Sequence, residues 1–216
     1  LAVRGDKGMV SSEDPHASRV GAKILAAGGN AIDAAIAMGY VLSVTHHVAG
    51  SLGGGGFMIV RLADGTTKAL DYRERAPARA TAKLNDEQLE KGAHGYLSAP
   101  VPGVVGGLEL ARTTWGSLDR KVLLADAIAL ATNGHRYAPR QALVLSWFWK
   151  RVRKDPVLRA IFGRGKRRDK PLSAGELIKQ PSLAKTLQAI AAAGMKGFYG
   201  GDVAAKIVKA MKRGGG

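Results

Sequence analysis

The chain of 216 residues contains no cysteine. This absence excludes disulfide bonds, thiolate metal sites and a cysteine nucleophile, and it leaves the cellular compartment open. Five histidines are present, but none is spaced with a second histidine and carboxylates in a close metal-ligand pattern. The sequence therefore predicts no metal site, and nothing in it implies a cofactor.

Long hydrophobic runs are also missing. The longest, Ala34 to Val44, is about half the length needed to span a bilayer, so we expect no transmembrane helix. Leu1 to Arg4 lacks the apolar stretch of a secretory leader, although a leader already removed would leave the same sequence. The apolar content of 46% and charged content of 23% are ordinary for globular proteins. We expect one α/β domain over residues 1–216.

Acidic residues are scarce: 17 Asp and Glu stand against 33 Lys and Arg, for a net charge of +16. Half of that charge lies in residues 150–170, where ten Lys or Arg meet only Asp155 and Asp169. We interpret 150–170 as a divergent basic stretch or mobile loop that is able to attract polyanions. Nucleic acid is not an expected partner, because no nucleic-acid motif accompanies the charge. Aromatic residues 147–149 are expected to pack a helix.

Helix signals are clear near the N-terminus. Asp14 before Pro15 predicts a helix start, and Asn30 with Asp33 three residues later predicts a capping box for a second, buried helix. Further helices are expected over 104–114, 121–132, 183–193 and 203–211. Phe57 to Leu62 is expected to be a buried strand, followed by a turn at Asp64–Gly65 and a returning strand over 67–73. Pro77 ends that strand, and residues 83–92 are expected at the surface.

Four consecutive glycines, Gly53 to Gly56, precede the first of these strands. A phosphate-binding loop requires a strand, then glycines, then a helix, with a closing Lys and Ser or Thr. Here a helix comes before the glycines, a strand follows them, and the closing residues are missing. Two interpretations remain. The glycines adopt positive φ in a helix-to-strand turn that packs against a neighbouring backbone, or they allow two chain segments or a ligand to approach closely.

Several multi-residue motifs, taken together, resemble the γ-glutamyltranspeptidase family in order and spacing. They are GGNAIDAA at 28–35, SLGGGGFM at 51–58, DYRERAP at 71–77, VPGVVG at 101–106, LAKTL at 183–187, GFYGG at 197–201 and the terminal glycines. The resemblance covers nearly the whole chain and is interrupted only near 140–170. It departs from the pattern at His47–Val48, where bacterial relatives often have a proline and a polar residue.

The resemblance implies an N-terminal-nucleophile (Ntn) hydrolase. Proteins of that family cut themselves into a large and a small subunit, which form a four-layer α/β/β/α sandwich. The new N-terminal threonine of the small subunit attacks γ-glutamyl amides such as glutathione, and the acyl-enzyme passes the glutamyl group to water or to an acceptor. This chain resembles the first part of the large subunit, so we expect its sheet to be completed by the partner subunit.

Arg73 is the expected substrate-binding residue. The resemblance implies that the arginine of the D-x-R-E-x-A-P motif holds the α-carboxylate of the glutamyl group, and a planar guanidinium suits bidentate binding of a carboxylate. The alternative is that Arg73 pairs only with Asp71 or Glu74. Arg75 is expected to be a surface cation, and Asp33 is expected to act as a cap.

No catalytic residue is expected in this chain. A threonine nucleophile activated by its own α-amine must begin its chain, whereas every threonine here is internal and the chain starts with Leu1. Thr113–Thr114 is expected to be a helix end, and His46 and His47 are expected to be structural. The chain alone is therefore predicted to be inactive. For location, we expect a periplasmic or secreted protein whose leader is not present in this chain.

Two alternatives stay open. The first is a family relative that deacylates a different amide, such as a glutaryl cephalosporin. A non-catalytic, polyanion-binding paralogue would account for the basic residues of 150–170.

Overall fold

A computed structural model describes residues 4–78, 80 and 95–216. The described helices are α1 Pro15–Ala26, α2 Ala31–Thr45, α3 Val104–Trp115, α4 Arg120–Asn133, α5 Pro139–Val152, α6 Pro156–Phe162, α7 Pro181–Ala193, α8 Lys196–Tyr199 and α9 Gly201–Gly214, with one 3-10 turn at Tyr96–Ser98. The described strands are β1 Phe57–Arg61, β2 Thr67–Asp71, β3 His135–Arg136, β4 Gly163–Arg164, β5 Lys170–Pro171 and β6 Leu177–Ile178. They form three two-stranded antiparallel sheets, β1–β2, β3–β6 and β4–β5. The expected surface segment 83–92 lies outside the described residues.

The chain divides into two compact units. The first takes its described residues from Leu1–Ser51 and Ser117–Gln188, and the second takes them from Leu52–Gly116 and Ala189–Gly216. Each unit is therefore built from two separate parts of the sequence. The expectation of a single domain over 1–216 stays a prediction.

The first two helices begin as predicted. The Asp14 carboxylate accepts hydrogen bonds from the backbone N–H groups of His16 and Ala17, which starts α1. At the start of α2, the Asn30 side chain accepts from the Asp33 N–H, and the Asp33 carboxylate accepts in return from the Asn30 N–H. The capping box is confirmed.

Helix α2 forms the centre of the first unit. Ten of its residues are buried, including the large side chains Ile36, Tyr40 and Val41. It packs against α1 and α4, and α4 contributes Leu123 and Leu124 to the same core. An apolar sequence on all sides of a helix predicted this burial, because such a helix has no face suited to water.

Asp33 does more than cap its own helix. The fully buried carboxylate also accepts hydrogen bonds from the Ser117 hydroxyl at 2.6 Å and from the backbone N–H groups of Ser117 and Leu118. Burial raises the pKa of Asp33, but the hydrogen bonds from Ser117, Asn30 and Leu118 outweigh it and hold the pKa below its usual value. One ionised side chain thus joins the start of α2 to the segment before α4.

The β1–β2 hairpin is present, but only one of its faces is covered. Val60 is buried, whereas Phe57 is 62% exposed and Ile59 is 79% exposed. The prediction of a buried strand is wrong for these two residues, because alternate side chains of a strand point to opposite faces and this chain packs only one of them. Residues 63–65 form a three-residue connection with Gly65 at φ +83°, rather than the predicted two-residue turn.

The basic segment 150–170 has regular structure. It contains the end of α5, the short helix α6 and the β4–β5 hairpin. Trp149 is buried in a cluster with Tyr137 and Leu172, as expected for a helix-packing residue. Trp147 and Phe148 are 67% and 54% exposed, so the expectation that all three aromatic residues pack is wrong for these two. Mobility of the segment stays a prediction.

The fold class is confirmed at its coarse level as mixed α/β. The remaining predicted helices are present, with ends that differ by a few residues from the sequence-based ranges. The four-layer sandwich and the sheet completed by a partner stay predictions.

Asp33→Asn is expected to lower the free energy of unfolding by about 2–4 kcal/mol, because several hydrogen bonds to a buried charge are weakened at once. Urea unfolding of the full-length protein that carries this chain measures the change. Asp6→Asn is the matched control, since Asp6 is exposed. A loss below about 0.5 kcal/mol, the size of an ordinary surface substitution, would contradict the role assigned to Asp33.

Candidate functional site

Arg73 lies directly after β2, in an extended segment that is hydrogen-bonded on both sides. On one side, Tyr72 and Gly56 exchange backbone hydrogen bonds of 3.0 and 3.3 Å, which continues the β1–β2 pairing. On the other side, Arg75 and Val101 exchange backbone hydrogen bonds of 3.1 and 2.8 Å. The backbone on either side of Arg73 is therefore fixed by two neighbouring segments.

Glycines allow these neighbours to come so close. A Cβ at Gly55 would lie 2.6 Å from the Glu74 nitrogen and 2.8 Å from the Arg73 Cα. A Cβ at Gly103 would collide with the carbonyl oxygen of Tyr72. No larger residue fits at either position without moving the backbone that carries Arg73.

The glycine run is used for close approach, not for left-handed backbone. None of the four residues Gly53 to Gly56 has a positive φ. Positive φ, which the first interpretation required, is wrong for these four residues, whereas packing of the run against a neighbouring backbone, which both interpretations contain, is confirmed at Gly55. At Gly55 and Gly56 an added Cβ would meet atoms of Tyr72, Arg73 or Glu74, so the missing side chain matters there and positive φ does not.

The start of α3 is occupied by protein groups. The Gly54 carbonyl accepts hydrogen bonds from the N–H groups of Gly103 and Val104, at 2.8 and 3.0 Å. The Tyr199 hydroxyl accepts from the Gly106 N–H at 3.0 Å and donates to the Pro102 carbonyl at 2.9 Å. Because two amides of this helix start already bind the glycine run, the phosphate-binding arrangement excluded by the sequence is absent from this described segment.

The Arg73 side chain is largely exposed and has one ion pair among the described residues. It is 69% exposed, and its Nε lies 3.8 Å from a Glu74 carboxylate oxygen, beyond hydrogen-bonding distance. The Asp71 carboxylate accepts from the Arg73 backbone N–H rather than from the guanidinium. Of the two partners in the alternative, Glu74 forms a long ion pair with the guanidinium, and Asp71 contacts only the Arg73 backbone. Arg75 is exposed as expected.

The two histidines after α2 belong to the core of the first unit. A 2.7 Å hydrogen bond joins His47 Nε2 to the Tyr137 hydroxyl, and the two rings stack. A 2.6 Å hydrogen bond joins His46 Nδ1 to the Gln141 amide. Burial, followed by the nearby His135 and His46, lowers the pKa of His47 to about 4, so the ring is neutral near pH 7. These contacts agree with the expected structural role.

The other candidate residues are also accounted for. Thr113 and Thr114 lie in the last turn of α3, where their hydroxyls donate to backbone carbonyls of Glu109 and Leu110.

Within residues 4–78, 80 and 95–216, no three His, Asp or Glu side chains are grouped so that they could hold a metal ion. Over the same residues, no helix combines the length and the apolar character needed to cross a membrane.

Sequence reasoning missed two parts of this site. Tyr199 and Gly103 lie in motifs that carried the family resemblance, but their contacts with the segments around Arg73 were not foreseen. The available signal was that Gly103 and Tyr199 lie in two other motifs of the same family resemblance as the glycine run. Spacing alone does not show which of these motifs touch each other.

Comparison with known proteins identifies the family of this chain. The chain matches the family model described as gamma-glutamyltranspeptidase over residues 17–216. The glutathione hydrolase proenzyme of Pseudomonas sp. (strain A14) is 44% identical over 219 residues, covering 99% of this chain and 38% of that protein. The chain belongs to the γ-glutamyltranspeptidase family.

Solved structures agree with this membership. The crystal structure of Helicobacter pylori γ-glutamyltranspeptidase superposes with a TM-score of 0.94 at 40% identity, covering 100% of this chain and 63% of that one. A cephalosporin acylase from Bacillus halodurans superposes with a TM-score of 0.81 at 26% identity, covering 100% of this chain and 44% of that one. By comparison, this chain spans 38% of the length of the Pseudomonas proenzyme.

Proposed function

We propose that this chain is the first part of the large subunit of a γ-glutamyltransferase or glutathione hydrolase, which cleaves γ-glutamyl amides through an acyl-enzyme. The observation that carries the proposal is the presentation of Arg73. Its guanidinium is exposed, while the backbone on either side of it is held by Gly56 and Val101. A backbone held on both sides beneath an exposed guanidinium is what a carboxylate-binding site requires.

In the proposed reaction, Arg73 binds the α-carboxylate of the glutamyl group through two parallel N–H···O bonds. The amide carbonyl at the other end of the glutamyl side chain then lies at a fixed distance from Arg73. Such positioning converts attack on the amide into a step within one complex. Arg73 contributes binding and orientation, and it takes no part in proton transfer.

The nucleophile is proposed to be the N-terminal threonine of a small subunit. Its hydroxyl attacks the γ-amide carbon, its own α-amine takes the proton, and the amine product leaves. Water or an amino-acid acceptor then releases the glutamyl group. The partial coverage of the relatives supports a further part of the protein beyond this chain.

We further propose that the other part of the protein completes the sheet that β1 and β2 begin, giving the four-layer α/β/β/α sandwich. A two-stranded hairpin is marginally stable alone. The exposed face of β1 carries Phe57 and Ile59, which are large apolar side chains suited to burial by another layer. A periplasmic or secreted location remains part of this proposal.

A second candidate function is a deacylase of the cephalosporin acylase kind. The likeness to the Bacillus halodurans enzyme favours it, at 26% identity over the whole of this chain. A glutaryl donor lacks the α-amino group of a glutamyl donor, so the ratio of kcat/KM for the two donors separates the functions. A non-catalytic polyanion-binding paralogue remains a third possibility and is supported by the charge of 150–170 alone.

Arg73→Ala is expected to raise the KM for a γ-glutamyl anilide about 30- to 150-fold in the assembled enzyme. The reason is that a charged hydrogen-bonded contact with the donor, worth about 2–3 kcal/mol, is lost. Steady-state kinetics at constant salt measure the change.

Arg75→Ala is the matched control for this substitution. It removes the same exposed group two residues away and is expected to leave KM within about twofold, since surface substitutions usually have small effects. Equal KM values for the native enzyme and Arg73→Ala would remove Arg73 from the donor site.

Purified residues 1–216 alone are expected to show no turnover of a γ-glutamyl anilide, because every threonine in them is internal. Turnover should appear when the chain is produced together with the part that supplies an N-terminal threonine. The intact mass and N-terminal sequence of the co-purifying subunit identify that residue. Turnover by the isolated chain, above a buffer control, would overturn the assignment of the nucleophile to a partner.

A further inference from the structure

The first unit has an open surface cavity of about 650 Å³. Three arginines line it: Arg136 from β3, Arg164 from β4 and Arg168 from the β4–β5 connection. Glu176 is the one acidic residue among the lining side chains. The three arginines and the one glutamate therefore give the lining of this cavity a net positive charge.

Each guanidinium is held by a backbone carbonyl. Arg136 Nη1 donates to the Gly175 carbonyl at 3.0 Å, Arg164 Nε donates to the Pro171 carbonyl at 2.9 Å, and Arg168 Nη1 donates to the Gly163 carbonyl at 2.7 Å. A guanidinium has five N–H donors, so one anchoring bond leaves four for a ligand. The three side chains are thus oriented before any ligand binds.

The single acidic residue is partly engaged elsewhere. The Glu176 carboxylate accepts from the Ser173 N–H at 2.5 Å and lies 3.8 Å from Arg164 Nε. It therefore offsets one of the three positive charges at most. Three like charges around one cavity repel each other, and a bound anion with two or more charges would remove that repulsion.

The backbone at Arg168 adds an independent observation. Arg168 has φ +51°, and it is the one non-glycine residue with positive φ in the described part of the chain. This conformation costs about 1 kcal/mol or more for a residue with a side chain. It is maintained by the turn bond from the Arg168 N–H to the Gly165 carbonyl, and the Trp149 indole N–H donates to the next carbonyl, that of Asp169.

We propose that this cavity is a binding site for a ligand that carries a diphosphate group. Arginine binds phosphate oxygens in pairs, and three arginines match the several oxygens of two linked phosphates. The source is either free diphosphate or the diphosphate of a nucleotide, and the inference is independent of the proposed amide chemistry.

The test is titration of the full-length protein that carries this chain with inorganic pyrophosphate, by calorimetry at 0.15 M NaCl as a working ionic strength. Saturable binding is expected. Arg168→Gly is expected to weaken that binding at least about tenfold, the effect of losing one charge-assisted contact. Glycine adopts positive φ freely, so the thermal unfolding midpoint should be unchanged or higher.

Arg167→Gly is the matched control. It removes the same side chain from an exposed neighbour that does not line the cavity, and it should leave pyrophosphate affinity within about twofold. A second comparison uses two double variants. One carries Arg136→Gln and Arg164→Gln, and its control carries Lys150→Gln and Arg151→Gln. Only the first pair is expected to weaken binding.

ADP and a single-stranded oligonucleotide complete the experiment. Equal affinities for pyrophosphate and ADP support free diphosphate as the source, and tighter binding of ADP supports a nucleotide. Absence of saturable pyrophosphate binding overturns the proposal, as does equal affinity in the native protein and Arg168→Gly. Binding of the oligonucleotide alone, insensitive to Arg168→Gly, also overturns it and favours the basic surface as a nucleic-acid contact.

Discussion

The close approach of three backbone segments around Arg73 is the constraint on which the candidate site depends. The glycine run lies on one side of the strand end, and residues 101–103 lie on the other. A Cβ at Gly55 or Gly103 would occupy space that backbone atoms of Tyr72, Arg73 and Glu74 already fill. The absence of side chains at these two positions therefore shapes the site as much as the arginine does.

This constraint explains why the glycines and the arginine occur in separate motifs. The glycine run supplies a carbonyl, at Gly54, to the first amides of α3, and it supplies a strand partner, at Gly56, to Tyr72. Tyr199 then ties α3 to its preceding segment through one hydroxyl. These hydrogen bonds hold the backbone on both sides of Arg73, whose side chain is 69% exposed.

Local signals in the sequence predicted much of the fold. Caps at Asp14 and Asn30 and the apolar run of α2 each specify structure through neighbours along the chain. Contacts between distant segments were harder to predict. The hydrogen bonds from Ser117 to Asp33, 84 residues apart, have no periodic signature, and Arg136 lies far along the chain from Arg164 and Arg168, with which it lines the cavity. Exposure of Phe57 and Ile59 was mispredicted because composition does not reveal which face of a strand this chain covers.

For the site, the family resemblance singled out Arg73. The geometry explains how the backbone that carries this long, flexible side chain is held in place. The most direct test is a double-mutant cycle on donor KM in the assembled enzyme, with Gly55→Ala and Arg73→Ala singly and together. If the glycine acts by placing Arg73, Gly55→Ala raises KM in the native background and adds little to Arg73→Ala. The coupling energy should then be about 1 kcal/mol or more. Fully additive effects of the two substitutions would contradict the account.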